Sequence, residues 1–200
     1  MMYVNRHRFF EIALLVEGGL GVAAVLLAWP LGLRLWNYFS VDPRSVAVSI
    51  AATGLAVLFY FVLRFLPLAS LRRTVELVRM IYRNEMRSLS PWKLALLAAS
   101  AGIGEELLFR GLLQKGLCTL SGGNELTVIV LTSVLFGLLH CVSKTYVVLA
   151  FLISLYLGFL FLWTDNLFVP TTIHALYDFF VFLHLRWEYR SVAVDVDDSF

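Results

Sequence analysis

The sequence predicts an all-α, polytopic bundle of membrane-spanning helices, and three observations carry that expectation. The 200 residues are 60% hydrophobic and only 15% charged, with a mean hydropathy of +0.82. Soluble domains sit near ~45–50% apolar and ~25% charged. The apolar residues also fall in long runs, broken by short charged stretches, as spans of about 20 residues require. Finally, basic residues cluster on alternate connections. Arg6 and Arg8, the group from Arg72 to Arg87, Lys144, and Arg186 with Arg190 share one side of a six-span arrangement. Arg34, Arg44 and Lys115 face the other, which predicts both termini in the cytoplasm.

The elements follow in order. Ile12–Leu33 reads as a retained first span, because it holds Glu11 and Glu17 at or near its start and lacks a small-x-small cleavage site before Pro30. Gly18, Gly19 and Gly21 predict a face packed closely on another helix, with Glu17 buried beside a hydrogen-bond partner. After a polar connection, a second span runs from Ser45 to Leu68, with Arg64 near its end able to snorkel. Leu71–Leu89 alternates Leu71, Val75, Val78, Ile81, Tyr82 and Met86 with five arginines, the pattern of a basic amphipathic helix lying on an anionic membrane surface. Ser90-Pro91 suits an N-cap and first turn, opening a helix that ends at Ser121-Gly122-Gly123-Asn124. Further spans cover Leu126–His140, Tyr146–Trp163 and Pro170–Leu185. Residues 1–190 form one membrane domain, with the motifs in 91–185, and 191–200 an acidic tail expected to fray around Asp195, Asp197 and Asp198.

Function is read from charge inside apolar runs. Gly104-Glu105-Glu106-Leu107-Leu108-Phe109-Arg110-Gly111 places two carboxylates and a guanidinium in a hydrocarbon setting. An ionised group there costs at least ~2.5–3.5 kcal/mol, so such residues are as a rule paired, inward-facing and functional. Glu106 and Arg110 are four apart and share a helix face. Glu105 lies about 100° around and keeps no local partner. On later spans, Phe136 and His140 share a face, and so do His174 and Asp178. Ser154, Tyr156 and Gly158 read as packing. Two imidazoles and a carboxylate suit two chemistries. They can ligate zinc through Glu105, His140 and His174, although no HExxH is present; or they can activate a water without metal. Two cysteines make no disulfide framework, Cys141 beside His140 points away from it, and no nucleic-acid motif occurs.

Glu105-Glu106-x-x-x-Arg110, Phe136-x-x-x-His140 and His174-x-x-x-Asp178, in this order on successive spans, resemble the CPBP intramembrane endopeptidases. That family includes the type II CAAX prenyl endopeptidases and the bacterial Abi proteins linked to bacteriocin self-immunity. The resemblance covers about Pro91 to Leu185. It implies a helical bundle with a cavity open to the cytoplasmic side of the plasma (inner) membrane, and hydrolysis of a peptide or protein substrate, lipidated ones included. It implies that Glu105 and His140 activate water, that His174 and Asp178 stabilise the oxyanion, and that Glu106, Arg110 and Phe136 support them. The family often has Asn where this chain has Asp178, and an ionised Asp cannot donate a hydrogen bond to an oxyanion. Two other readings compete. A non-catalytic membrane interaction protein, of immunity or scaffolding type, would tolerate loss of Glu105. A small transporter would use the carboxylates as a proton relay, but no internal repeat supports it.

Overall fold

The computed structural model describes residues 6–197, with side chains from 8 to 189. Among them there is no strand. The helices are α1 (Arg6–Ala28), α2 (Pro43–Phe65), α3 (Ala69–Ile81), α4 (Pro91–Glu106), α5 (Gly116–Ser121), α6 (Glu125–Leu139), α7 (Lys144–Thr164) and α8 (Phe168–Asp197). Four of them carry stretches long and apolar enough to cross a membrane, at Arg8–Leu31, Pro43–Phe65, Lys144–Thr164 and Phe168–Tyr189. The shorter apolar α6, and the continuous helical stretch that begins with α4, occupy the positions of the other two expected spans. This is an integral membrane protein.

Helix ends follow local chemistry. Asp42 accepts from the backbone N–H groups of Arg44 and Ser45, while the Ser45 hydroxyl accepts from Asp42 N–H, a reciprocal capping box. Asn124 caps α6 through Thr127 N–H, and Ser143 caps α7 through Tyr146 N–H. Ser90 does not cap α4 with its side chain; its hydroxyl is buried and makes no hydrogen bond, and Pro91 alone marks the start. Gly122, at φ 58°, closes α5 in the left-handed conformation that glycine adopts without a Cβ penalty. α8 stays helical to Asp197, where a frayed tail was expected; Asp198 and the remaining tail side chains lie outside the described residues.

Two features depart from a plain bundle and both position the site. The stretch Leu107–Lys115 is π-helical, continuing α4 into α5 with a wider turn. α6 has only 15 residues, about 22 Å at 1.5 Å per residue. It ends at Leu139, with His140 as its C-terminal cap, and the chain turns directly into α7 at Lys144.

α1 packs on α4, α4 on α8, α2 on α8 and α6 on α7. The first of these crossings is the tightest. A Cβ on Gly104 would sit 2.0 Å from the Glu17 carbonyl oxygen and 2.9 Å from its carbon, and one on Gly21 would lie 3.3 Å from Gly104 Cα. The glycines of α1 thus do meet a neighbour's backbone, at Gly21. Gly104→Ala should cost about 3 kcal/mol, the upper end of the range for overpacking, because the obstacle is backbone and has no rotamer to move to. Gly54→Ala, where nothing lies within 4 Å of the new Cβ, should be neutral or slightly stabilising. Unfolding by sodium dodecyl sulfate titration in mixed micelles compares the two.

α3 is more than a surface helix. The side bearing Leu71, Thr74, Val78, Tyr82 and Met86 turns inward and lines an internal cavity, so the helix roofs the bundle. Arg64 does not snorkel freely either. Its guanidinium donates to Tyr60 at 3.0 Å and to Glu188 on α8, which also takes Arg79 of α3 at 3.1 Å.

Candidate active site

The polar residues of α4, α6 and α8 meet on the wall of a cavity of about 720 Å³ whose lining is otherwise mostly apolar. Glu106 and Arg110 are its buried foundation, 0% and 1% exposed. Arg110 Nη1 donates to Glu106 Oε1 at 3.0 Å, and Nη2 donates to the Ser154 carbonyl at 2.8 Å and its hydroxyl at 3.0 Å. Ser154 in turn donates to Ser133 Oγ at 3.1 Å. Ser154 is therefore more than packing: it ties the Arg110 guanidinium of α4's π-helical extension to α7 and α6. A hydroxyl four residues from a glycine on an apolar span gives little sequence signal for that role.

His140 is oriented from two directions. Its Nδ1–H donates to the Phe136 carbonyl at 2.8 Å, which leaves Nε2 as the free ring nitrogen. Its ring stacks on Phe136 with centroids 4.2 Å apart and planes at 16°. Phe136 is itself braced by Phe109 at 4.8 Å, and Arg110 lies 5.4 Å from its centroid. Nε2 then faces Glu105 Oε1 at 3.8 Å. That is beyond a direct hydrogen bond and within the span of one bridging water.

His174 completes the group from α8. Its Nδ1–H donates to Glu106 Oε1 at 2.8 Å, so Nε2 points at the two remaining carboxylates, 3.9 Å from Glu105 Oε2 and 3.6 Å from Asp178 Oδ2. Glu105, His140, His174 and Asp178 thus come together, with Glu106, Arg110 and Phe136 around them. Glu105 Oε2 is buried and accepts no hydrogen bond. An acid held this way is costly in a folded protein and available for chemistry.

One member was missed. Glu17 of α1 interacts electrostatically with Glu105, His174 and Asp178. Its Oε2 is buried without the hydrogen-bond partner that the sequence led us to expect. The α1–α4 crossing at Gly104 brings it there, and no residue spacing within α1 signals that approach.

Among the described residues, no group of three His, Cys, Asp or Glu side chains is disposed to hold a metal ion. Glu105, His140 and His174, the set a zinc ion would use, do not form such a group.

This arrangement of a spare carboxylate between two imidazoles lies within a recognised sequence unit. Residues 87–180 match the family model for Type II CAAX prenyl endopeptidase Rce1-like proteins. The Rce1-like match spans just under half of the chain and contains Glu105, Glu106, Arg110, Phe136, His140, His174 and Asp178. It leaves out α1 and α2, and therefore Glu17. No curated protein and no solved structure matches the chain. The Rce1-like family implies a CAAX-type intramembrane protease, a hydrolase acting on peptide or protein substrates at membranes.

Proposed function

We propose that this protein is a membrane endopeptidase in which Glu105 and His140 activate a water for attack on a peptide carbonyl. The observation that carries the reading is the 3.8 Å gap between Glu105 Oε1 and His140 Nε2, on the wall of a cavity that also exposes His174 and Asp178. A water between the two atoms donates one hydrogen bond to each acceptor. Glu105 takes a proton as the oxygen attacks the carbonyl carbon, and later delivers it to the leaving amine as the C–N bond breaks. On the opposite side, His174 donates from Nε2–H to the developing oxyanion. Its Nδ1–H is already committed to Glu106, so this role needs the doubly protonated ring. Asp178 joins it in the neutral form, which has an O–H to give.

Glu106 and Arg110 hold these groups in place from behind the cavity wall, and Phe136, part of that wall, braces His140. The apolar lining around the site suits a substrate carrying hydrophobic side chains or a lipid group. Both termini face the cytoplasm in this reading, and the cavity opens towards the cytoplasmic leaflet of the plasma (inner) membrane.

The test is hydrolysis by the purified protein in liposomes, using prenylated and unmodified peptides in H₂¹⁸O. One ¹⁸O in the new carboxyl group of a cleaved peptide is the expected result, unaffected by a zinc chelator. Absence of labelled product from any peptide ends the proposal. Chelator inhibition reversed by added zinc would instead make Glu105, His140 and His174 ligands.

A further inference from the structure

The roof of the cavity has a second face that the proposed chemistry does not use. α3 and its π-helical extension, Tyr82–Met86, carry five arginines against two glutamates between Ala69 and Arg87. Arg79 is engaged with Glu188 and Glu76. Arg72, Arg73, Arg83 and Arg87 are all exposed. Among them on the same outward side are exposed apolar side chains, Leu77 at 36% and Met80 at 49%. A solvated helix whose apolar side is already buried has no need of exposed Leu and Met beside its cations. A helix at the boundary between headgroups and acyl chains does, because that boundary offers anionic phosphates and hydrocarbon within one side-chain length.

The position in the bundle agrees. α3 sits at the end where α2 and α8 come together through Tyr60–His184 and Arg64–Glu188, and where Arg186 of α8 donates to the Leu89 carbonyl just before α4. The inward side of the helix is bound to the site. Thr74 and Ser143 hydroxyls lie 2.8 Å apart, and Ser143 is three residues beyond His140 while capping α7. Leu71, Val78, Tyr82 and Met86 form cavity wall. A ligand gripping the outside of α3 therefore holds the lining of the reaction chamber from behind.

We propose that the outward face of α3 is a docking surface for anionic phospholipid headgroups, which seat the helix as the roof of the cavity. The partner is the bilayer lipid itself, identified by the pairing of exposed guanidinium and apolar groups on one helix face. The proposal does not depend on proteolysis, and its test reads lipid association alone. The full-length protein is reconstituted in phosphatidylcholine bilayers doped with spin-labelled phosphatidylglycerol or spin-labelled phosphatidylcholine. The motionally restricted fraction gives the relative association constant.

Wild type should prefer phosphatidylglycerol at least about fivefold, since each surface cation near an anionic headgroup is worth ~1 kcal/mol. High salt should reduce that preference. Changing Arg72, Arg73, Arg83 and Arg87 together to Gln should bring the ratio close to unity, and changing all four to Lys should keep it. Arg34→Gln with Arg44→Gln, on connections away from α3, should leave it unaltered. Amide hydrogen exchange across Ala69–Arg87 of the wild type should slow when phosphatidylglycerol replaces part of the phosphatidylcholine. The proposal is overturned by a wild type without lipid preference, by a Gln variant that keeps the full preference, or by exchange indifferent to lipid charge.

Discussion

Glu105→Gln should reduce peptide hydrolysis by more than ~10²-fold while the protein accumulates and unfolds as the wild type does. The two halves of that expectation have one structural origin. Glu105 makes no direct hydrogen bond to either imidazole, the nearest nitrogens being at 3.8 and 3.9 Å, and its Oε2 is buried without a partner. The amide therefore breaks no direct hydrogen bond, and the ion contact with His174 that it gives up is offset by relief of the cost of a buried acid. What it removes is the group that accepts a proton from water. A site maintained against stability is characteristic of function. Turnover of a quenched peptide, measured beside the unfolding midpoint of the same sample, separates the two effects. An inactive variant with a wild-type midpoint supports the endopeptidase; a fully active one excludes Glu105 as the base and leaves the interaction-protein reading standing.

The largest loss of stability is expected at Arg110. Arg110→Leu should cost about 3–5 kcal/mol, because removing one partner of a buried ion pair leaves the other charge uncompensated. Glu106 is 0% exposed and would keep only His174 Nδ1–H. The Ser154 carbonyl and hydroxyl would lose their donor as well. Glu106→Gln combined with Arg110→Leu should cost clearly less than the sum of the single changes, since the charge left behind by the second is absent. The midpoint of unfolding in mixed micelles measures each term. Strict additivity would show that the pair is not coupled and that Arg110 acts through α7 alone. Activity should fall in both variants, because Glu106 also fixes the tautomer and ring angle of His174.

Much of this was legible in the chain because helical periodicity is local. Four-residue spacing determines that Glu106 meets Arg110 and that Phe136 stacks on His140, whatever the rest of the bundle does. Hydropathy located the spans for the same reason: hydrocarbon demands an unbroken apolar run. Contacts between elements were less accessible. Ser154 read as packing because nothing near it in sequence announces Arg110, 44 residues away. The amphipathic pattern of α3 states that one face is apolar and not what covers it; here Leu71, Tyr82 and Met86 cover the cavity. Arg64 read as a snorkelling side chain because Glu188, its partner, lies 124 residues away.

An all-helical membrane protein with ionisable groups on three of its apolar segments follows from the chain alone, because burial of backbone polar groups in lipid and the 3.6-residue repeat are properties of each segment taken singly. Helix packing settles which of those groups share a water-sized space, that α6 ends at the level of Glu105, and that Glu17 approaches through the glycine crossing at Gly104. Those facts depend on where helices touch, and the distance of closest approach is set by side chains from both partners at once.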